Sequence, residues 1–162
     1  NIKQREANPL TGLPGNTAIE RELKLRISSG EPFAFLYIDV DNFKQFNDML
    51  GHVAGDRALS IVSKILRAQF RNRDLLVRYG GDEFAVLLPD VKLDEAMAIG
   101  ERVRRAISGE TGDGSDSLIQ IPVRISMGVA QLRDGGSLDQ LIRDADAALY
   151  RAKRAGRDRV SQ

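Results

Sequence analysis

Two short apolar runs on either side of a glycine pair constrain the fold of this chain more than any other feature. Leu75 to Tyr79 precedes Gly80-Gly81, and Asp82 to Leu88 follows it. This pattern predicts a β-hairpin closed by a two-residue type I′ turn, in which both glycines adopt positive φ. At least part of the core is therefore expected to be an antiparallel sheet.

Apolar periodicity places a strand before the hairpin and helices around it. Phe33 to Ile38 is apolar on both faces, as in a central strand, and stops at Asp39-Val40-Asp41. Asn16 is predicted to cap a helix that ends near Gly30. Further predicted elements are a helix beyond Gly55, a helix over 96–107, a loop over 112–117, one or two strands within 119–130, a helix from Ser137 to Gly156, and a short strand around Val160.

This order of elements favours an α+β fold with a mainly antiparallel central sheet flanked by helices, as in the split βαβ arrangement of polymerase palms. The 162 residues suffice for one domain with its own core, and we expect a single domain over 1–162. Because the chain begins at Asn1 rather than Met, we expect it to be the C-terminal or excised part of a longer signalling protein.

The composition excludes several classes of site and partner. Lys and Arg number 24 against 23 Asp and Glu, a net charge of +1, which argues against binding to a nucleic-acid polymer or an acidic membrane surface. The absence of Cys excludes disulfides, thiolate zinc sites and a Cys nucleophile. No apolar run approaches the ~20 residues of a membrane helix. We therefore expect no membrane contact by this segment and a cytoplasmic location, including as the cytosolic domain of a membrane-anchored protein.

Acidic side chains are expected to meet at one edge of the sheet. Asp39 and Asp41 close the first strand, and Asp82 and Glu83 open the strand after the glycine pair. If the first strand ends beside the hairpin, these carboxylates repel one another unless a cation neutralises them. Oxygen ligands without His or Cys suit Mg²⁺ or Mn²⁺ rather than zinc. The alternative is that they are ordinary acidic residues at a strand end and a turn.

Six motifs occur in one order between residues 8 and 158. They are Asn8 to Leu13, Tyr37 to Lys44, Asn47-Asp48 with Gly51 to Asp56, Arg78 to Phe84, Ser126 to Ala130, and Asp146 to Arg157. Together they resemble the GGDEF family of diguanylate cyclases, named after the sequence Gly80-Gly81-Asp82-Glu83-Phe84. The resemblance implies a ferredoxin-like palm, as in adenylate cyclases and polymerases, that joins two GTP molecules into cyclic di-GMP. The chain departs from the family pattern at Asn8, Thr17 and Asp158, where Asp, Arg and Asn are usual.

The resemblance also implies a metal centre. Asp39 and Asp82 correspond to ligands of two Mg²⁺ or Mn²⁺ ions per active site, together with the backbone carbonyl of Val40. Asp82 also corresponds to the residue that takes the proton from the 3′-hydroxyl, and Glu83 either shares the metal or assists it. Lys44 corresponds to a catalytic cation that neutralises phosphate charge as it develops.

Substrate-binding residues follow from the same resemblance. Asn47 and Asp56 correspond to residues that read guanine, and His52 is placed near the base edge. The phosphate contacts correspond to Lys44, Lys153, Arg157 and the amides of Asn42, Phe43 and Lys44, with Gly80 and Gly81 allowing the nucleotide to approach. The alternatives are a solvated Lys44, capping or turn roles for Asn47, Asp56 and His52, and cations at a helix C-terminus for Lys153 and Arg157.

Arg71 and Asp74 have the spacing of the family's RxxD inhibitory site for cyclic di-GMP, and Arg102 on the following helix corresponds to an arginine that completes it. An arginine can fork to phosphate or guanine, and an aspartate can accept from the guanine edge. The alternative is a charged, solvated loop.

The leading hypothesis is an active cyclase that works as a homodimer, takes GTP, releases cyclic di-GMP and responds to an upstream sensor or regulatory domain. The alternatives are a catalytically silent GTP- or cyclic di-GMP-binding regulatory module and a structural dimerisation domain. A linear polymerase is disfavoured because no basic stretch interleaved with aromatic residues provides a template groove.

Overall fold

The computed structural model describes residues 7–112 and 122–162 as a five-stranded sheet covered by helices on both faces. The elements are α1 (Asn16–Ser29), β1 (Phe33–Val40), α2 (Phe43–Leu50), α3 (His52–Gln69), β2 (Leu75–Arg78), β3 (Glu83–Pro89), α4 (Leu93–Thr111), β4 (Ile125–Gln131), α5 (Leu138–Arg154) and β5 (Arg159–Ser161). Most of the loop predicted over 112–117, and the part of the predicted strand region before residue 122, lie outside the described residues. Within the described ranges, no helix is both long and apolar enough to cross a membrane.

The sheet has the strand order β2-β3-β1-β4-β5, with every pair antiparallel except β4 and β5. Strands β1 to β4 with the helices between them form the βαββαβ arrangement of ferredoxin-like domains. The α+β prediction is therefore confirmed, with β1 as the central strand and β5 as the short strand predicted around Val160.

The two faces of β1 lead into two apolar clusters, because successive side chains of a strand point to opposite faces. Leu36 and Ile38 pack in the cluster that includes side chains from α2, α3 and α4. Phe35 and Tyr37 pack in the cluster that includes side chains from α1 and α5. This double coverage explains why the β1 sequence is a continuous apolar run, and it places Asp39 on the same face as Tyr37.

Two helix boundaries differ from the predictions. Gly15, not Asn16, is the N-cap of α1, and no side chain caps this helix. The predicted helix beyond Gly55 begins earlier, at His52, and is separated from α2 by Gly51 with φ 87°. Because glycine tolerates positive φ, Gly51 allows the chain to turn between α2 and α3, and Gly55 lies inside α3. By contrast, α1 ends at Gly30 as predicted, and Ser137 caps α5 by accepting from the amide of Gln140.

The hairpin between β2 and β3 is confirmed, but its predicted type I′ turn is wrong. Neither Gly80 nor Gly81 has positive φ, and the connection spans residues 79–82. The Arg78 guanidinium holds this connection by donating from Nε to the Gly80 carbonyl at 3.2 Å and from Nη2 to the Gly81 carbonyl at 2.6 Å. An added Cβ at position 80 would instead lie 2.3 Å from Oε1 of Glu83, so any larger residue there would displace the end of the Glu83 side chain.

Candidate active site

The C-terminal end of β1 brings Asp39 and Asp82 together. In the sheet register, Asp39 lies opposite Glu83 on β3 and Ser126 on β4. The Val40 amide donates to the Asp82 carbonyl at 3.1 Å, which ties the last residue of β1 to the residue before β3. The antiparallel pairing of β1 with β3 is what places these two aspartates side by side.

Asp39 is a buried carboxylate with one oxygen unused. Its side chain pairs through Oδ2 with the Lys153 ammonium from α5, whereas Oδ1 is buried and accepts no hydrogen bond. Burial raises the pKa of Asp39 to about 6; the Asp82 carboxylate adds to this rise and Lys153 opposes it. A carboxylate of this kind is stabilised by a nearby cation, because a cation offsets both the lost hydration and the repulsion.

Glu83 is directed towards an aromatic pair. Its Oε2 accepts a hydrogen bond from the Tyr37 hydroxyl at 3.1 Å, and the Tyr37 ring makes an edge-on contact with Tyr79 at 5.4 Å. Burial raises the pKa of Tyr37, and the Glu83 charge raises it further, so the hydroxyl remains protonated and donates. Tyr37 was not among the predicted site residues, although its place two residues before Asp39 put it on the same face of β1.

Asp41 has a different environment from the other carboxylates at this edge. Its Oδ1 accepts from the Ser126 hydroxyl at 2.6 Å, and its Oδ2 accepts from the Asp158 amide at 2.9 Å. Burial raises the pKa of Asp41, while these two donors and the Arg157 charge oppose the rise. Asp41 therefore joins β1 to β4 and to the turn after α5, a role that the sequence analysis missed.

These contacts limit which residues are placed to hold a metal. Among residues 7–112 and 122–162, no three His, Cys, Asp or Glu side chains surround a common metal position. Protein donors occupy both oxygens of Asp41 but only one oxygen of Asp39 and one of Glu83, which leaves Asp39, Asp82 and the Oε1 atom of Glu83. Carboxylate oxygens are the ligands that a hard divalent cation such as Mg²⁺ prefers. The Asp39 Oδ1 has no partner, and the Asp39 Oδ2 already pairs with the positive charge of Lys153. Both observations fit a cation site at Asp39 and Asp82.

The chain turns directly from these aspartates into α2. Asn42 adopts the left-handed conformation with φ 57° and ψ 33°, and α2 starts at Phe43. The Lys44 side chain is exposed on the first turn of α2. The first amides of a helix have no intrahelical acceptor, so they are available to an anion bound beside Asp39.

Asn47 and Asp56 are brought near each other by a buried glycine. Asn47 on α2 packs so closely on Gly55 of α3 that an added Cβ would lie 1.7 Å from its Oδ1. That Oδ1 is buried without a hydrogen-bond partner, whereas Asp56, the next residue after Gly55, and His52 are exposed. The glycine in the middle of a helix was the available sequence signal for this close approach.

Arg71, Asp74 and Arg102 also come together, away from Asp39. They line one cavity of about 560 Å³, with Arg71 and Asp74 from the α3–β2 connection and Arg102 from α4. Asp74 is buried, accepts from the Arg71 amide at 2.8 Å through Oδ2, and has no partner at Oδ1. Arg102 donates from Nη2 to the Gln69 carbonyl at 2.5 Å, which holds its guanidinium group beside the end of α3.

Comparison with known proteins identifies the family to which this palm-like sheet belongs. The family model described as "Diguanylate cyclase, GGDEF domain" matches residues 6–159, and the chain belongs to the GGDEF domain family. The chain is 38% identical over 157 residues to diguanylate cyclase DgcP of Pseudomonas aeruginosa, covering 94% of this chain and 23% of that protein. It is 41% identical over 140 residues to diguanylate cyclase A of Treponema denticola, covering 83% of this chain and 37% of that protein.

A solved structure gives the same result for the fold. The coiled coil and GGDEF domain of DgcB from Caulobacter crescentus, in complex with c-di-GMP, superposes with a TM-score of 0.88. Sequence identity is 28%, and the match covers 98% of this chain and 86% of that chain. The chain thus matches most of that structure but spans well under half the length of the two curated relatives.

Proposed function

We propose that this chain is a diguanylate cyclase domain that converts two GTP molecules into cyclic di-GMP and two pyrophosphates. The observation that carries the proposal is the unpartnered, buried Oδ1 of Asp39 beside the Asp82 carboxylate. Family membership supports the same chemistry, since both relatives compared above are named diguanylate cyclases. We propose that the domain belongs to a longer signalling protein, from which it receives its regulatory input.

In this proposal the metal ligands are Asp39, Asp82 and the Val40 carbonyl. Two Mg²⁺ or Mn²⁺ ions, when bound, supply positive charge that lowers the pKa of the 3′-hydroxyl and neutralises the triphosphate. The Tyr37 hydroxyl holds Oε2 of Glu83, so we propose that Glu83 assists this centre from a position set by Tyr37. Asp82 accepts the proton of the 3′-hydroxyl as the oxygen attacks.

The remaining residues hold GTP. The first amides of α2 and the Lys44 ammonium contact the phosphates, and Arg157 approaches them from the turn after α5. Lys153 exchanges its contact with Asp39 for a phosphate oxygen when a metal ion takes its place. Asn47 and Asp56 hydrogen-bond the guanine edge, and the buried Asn47 Oδ1 would remain unpaired with a base that lacks the matching donor.

The reaction requires two domains. Each 3′-oxygen attacks the α-phosphorus of the GTP held by the other domain, and pyrophosphate leaves from each. A two-fold axis between the domains satisfies both attacks at once, so we propose a homodimer as the active form. Rate should then rise more steeply than in proportion to protein concentration.

We further propose that cyclic di-GMP inhibits the enzyme by binding at Arg71, Asp74 and Arg102. The shared cavity of these residues and the unpartnered Oδ1 of Asp74 support this proposal. The two guanidinium groups suit phosphate or guanine acceptors, and Asp74 suits the guanine N1 and amine donors.

The test is turnover by the concentrated domain with GTP and Mg²⁺, with and without EDTA, followed by chromatographic separation of the nucleotides. We expect metal-dependent cyclic di-GMP and pyrophosphate from the wild type and from Asp134→Ala, which removes an exposed carboxylate far along the chain from this site. Asp82→Ala should abolish synthesis while its thermal unfolding transition stays cooperative.

A chain that makes no product is then fused to a constitutive dimeriser and assayed again. Product from the fusion supports a cyclase that needs its partner copy. A dimeric fusion that binds GTP without turnover instead supports the silent regulatory module, and retained synthesis in Asp82→Ala contradicts the metal assignment.

A further inference from the structure

We propose that Asp158 is a positioning residue that fixes the backbone of the phosphate-binding Arg157 beside Asp41, at the end of β1, through the contacts of its side-chain oxygens with Arg104 and Arg124. The inference rests on the proposed function, in which Arg157 contacts the GTP phosphates. It concerns a position where this chain has Asp instead of the Asn that is usual in the family.

The turn that carries Arg157 has an unusual backbone. Arg157 and Asp158 are consecutive non-glycine residues with positive φ, 64° and 48°, and they follow Gly156 with φ 122°. Left-handed conformations are uncommon for side-chain-bearing residues, and two in succession persist only where surrounding contacts hold them. Asp and Asn tolerate this conformation better than most residues, so position 158 suits either of them.

The Asp158 carboxylate supplies contacts of that kind. Its Oδ1 accepts from Arg104 Nη1 at 2.9 Å, and its Oδ2 lies 4.0 Å from Arg124 Nε. Arg104 is itself held by Glu101, whose Oε1 and Oε2 lie 3.0 and 3.1 Å from Arg104 Nε. The Arg104 side chain is 20% exposed and the Asp158 side chain 41% exposed, so only the Arg104 end of this pair is sheltered from solvent.

Two backbone contacts complete the attachment of the turn. The Asp158 amide donates to Asp41 Oδ2 at 2.9 Å, and the Arg157 amide donates to the Ala152 carbonyl at 3.0 Å. The Arg157 amide is therefore held by α5. The next residue, Asp158, is held by Arg104 of α4 and by Asp41, which directly follows β1. The Arg157 side chain is exposed, as a contact with a bound phosphate requires.

Variants at position 158 separate two contributions of Asp158, its tolerance of positive φ and the contacts of its side chain. Asp158→Gly allows positive φ but removes both ion pairs, whereas Asp158→Asn keeps a side-chain oxygen for Arg104 and the tolerance of the left-handed conformation. Arg157→Ala and the double variant show whether Asp158 acts through Arg157. The control is Asp144→Asn, which breaks the two-point pair between Asp144 and Arg133 on another surface.

The measurement is calorimetric binding of a GTP analogue with a methylene bridge between the α- and β-phosphorus atoms, in the presence of Mg²⁺. We expect Asp158→Gly to weaken binding about tenfold, and Asp158→Asn and Asp144→Asn to stay within about threefold of the wild type. The double variant should bind no more weakly than Arg157→Ala. In turnover assays, Asp158→Gly should raise KM for GTP about tenfold with kcat changed less than about twofold.

Each other outcome overturns the inference in a distinguishable way. If the affinity of Asp158→Gly for the analogue is within about twofold of the wild-type affinity, Asp158 has no positioning role, and the proposed function is unaffected. A double variant that is weaker than Arg157→Ala by the full Asp158→Gly factor shows that Asp158 acts independently of Arg157. A wild-type domain that binds no analogue with Mg²⁺ rejects the proposed function, and the inference with it.

Discussion

Gly55 lies within α3, and a methyl group added there would come 1.7 Å from Oδ1 of Asn47 and 3.2 Å from the ring of Phe43. Alanine is favoured over glycine in a helix interior by about 0.8–1 kcal/mol. The nearest atoms belong to side chains rather than backbone, so the helix can keep its path while Asn47 turns away. We therefore expect Gly55→Ala to change the free energy of unfolding by less than about 1 kcal/mol.

The effect on nucleotide binding should be much larger. With Asn47 displaced, the proposed guanine pocket loses one hydrogen bond and leaves a polar group of the base unpaired, which costs about 1–3 kcal/mol. Since 1.4 kcal/mol corresponds to a factor of ten, the affinity for GTP should fall by about 5-fold to 150-fold. Affinity for an ATP analogue, which gains nothing from Asn47, should change much less.

Urea unfolding and calorimetric titration measure the two quantities separately. Gly109→Ala is the matched control, because Gly109 lies in α4 with no atom within 4 Å of an added Cβ; it should gain helix stability without altering GTP binding. Asn47→Ala should weaken GTP binding as much as Gly55→Ala, and the double variant should be no weaker. A Gly55→Ala domain that binds GTP like the wild type would refute the assignment of Asn47 to guanine.

Two further predictions concern the hairpin and the proposed inhibitory cavity. Gly80→Ala should lower turnover by about tenfold or more, because its Cβ displaces the Glu83 carboxylate, whereas Gly109→Ala, with nothing within 4 Å of the added Cβ, should retain activity in the same assay. Arg71→Ala should raise the cyclic di-GMP concentration needed for half-inhibition at least about tenfold without lowering the uninhibited rate, since it removes a charge-assisted contact. Arg73→Ala in the same connection should leave inhibition unchanged, and equal inhibition of the Arg71 variant would contradict the site.

Local sequence patterns were sufficient for the order of the strands and the longer helices and for the meeting of the two aspartates, but they did not give the short helix α2 as a separate element. The apolar run from Phe33 to Ile38 reports a strand buried on both faces, and the glycine pair reports a reversal between β2 and β3. An antiparallel sheet then has to place the end of β1 beside the start of β3. For this reason the neighbourhood of Asp39, Asp82 and Glu83 could be predicted without coordinates.

Local patterns were not sufficient for the contacts that each site side chain makes. Periodicity reports which face of an element is buried, but hydrogen-bond partners come from residues far along the chain. Glu83 meets the Tyr37 hydroxyl, and Asp41 meets Ser126 and Asp158. With Asp39 paired to Lys153, three of the four expected acidic residues are therefore already engaged by protein donors.

The glycines also show what each level determines. The sequence by itself determined that the chain reverses at Gly80-Gly81. Only the tertiary structure decided that Gly80 does not have positive φ and that an added Cβ there would meet the Glu83 carboxylate. It likewise decided that the Asn47 side chain packs against Gly55, where an added Cβ would meet its Oδ1. The physical reason is that a hydrophobic pattern specifies which surfaces are buried, while the packing of distant side chains specifies where each polar atom finds its partner.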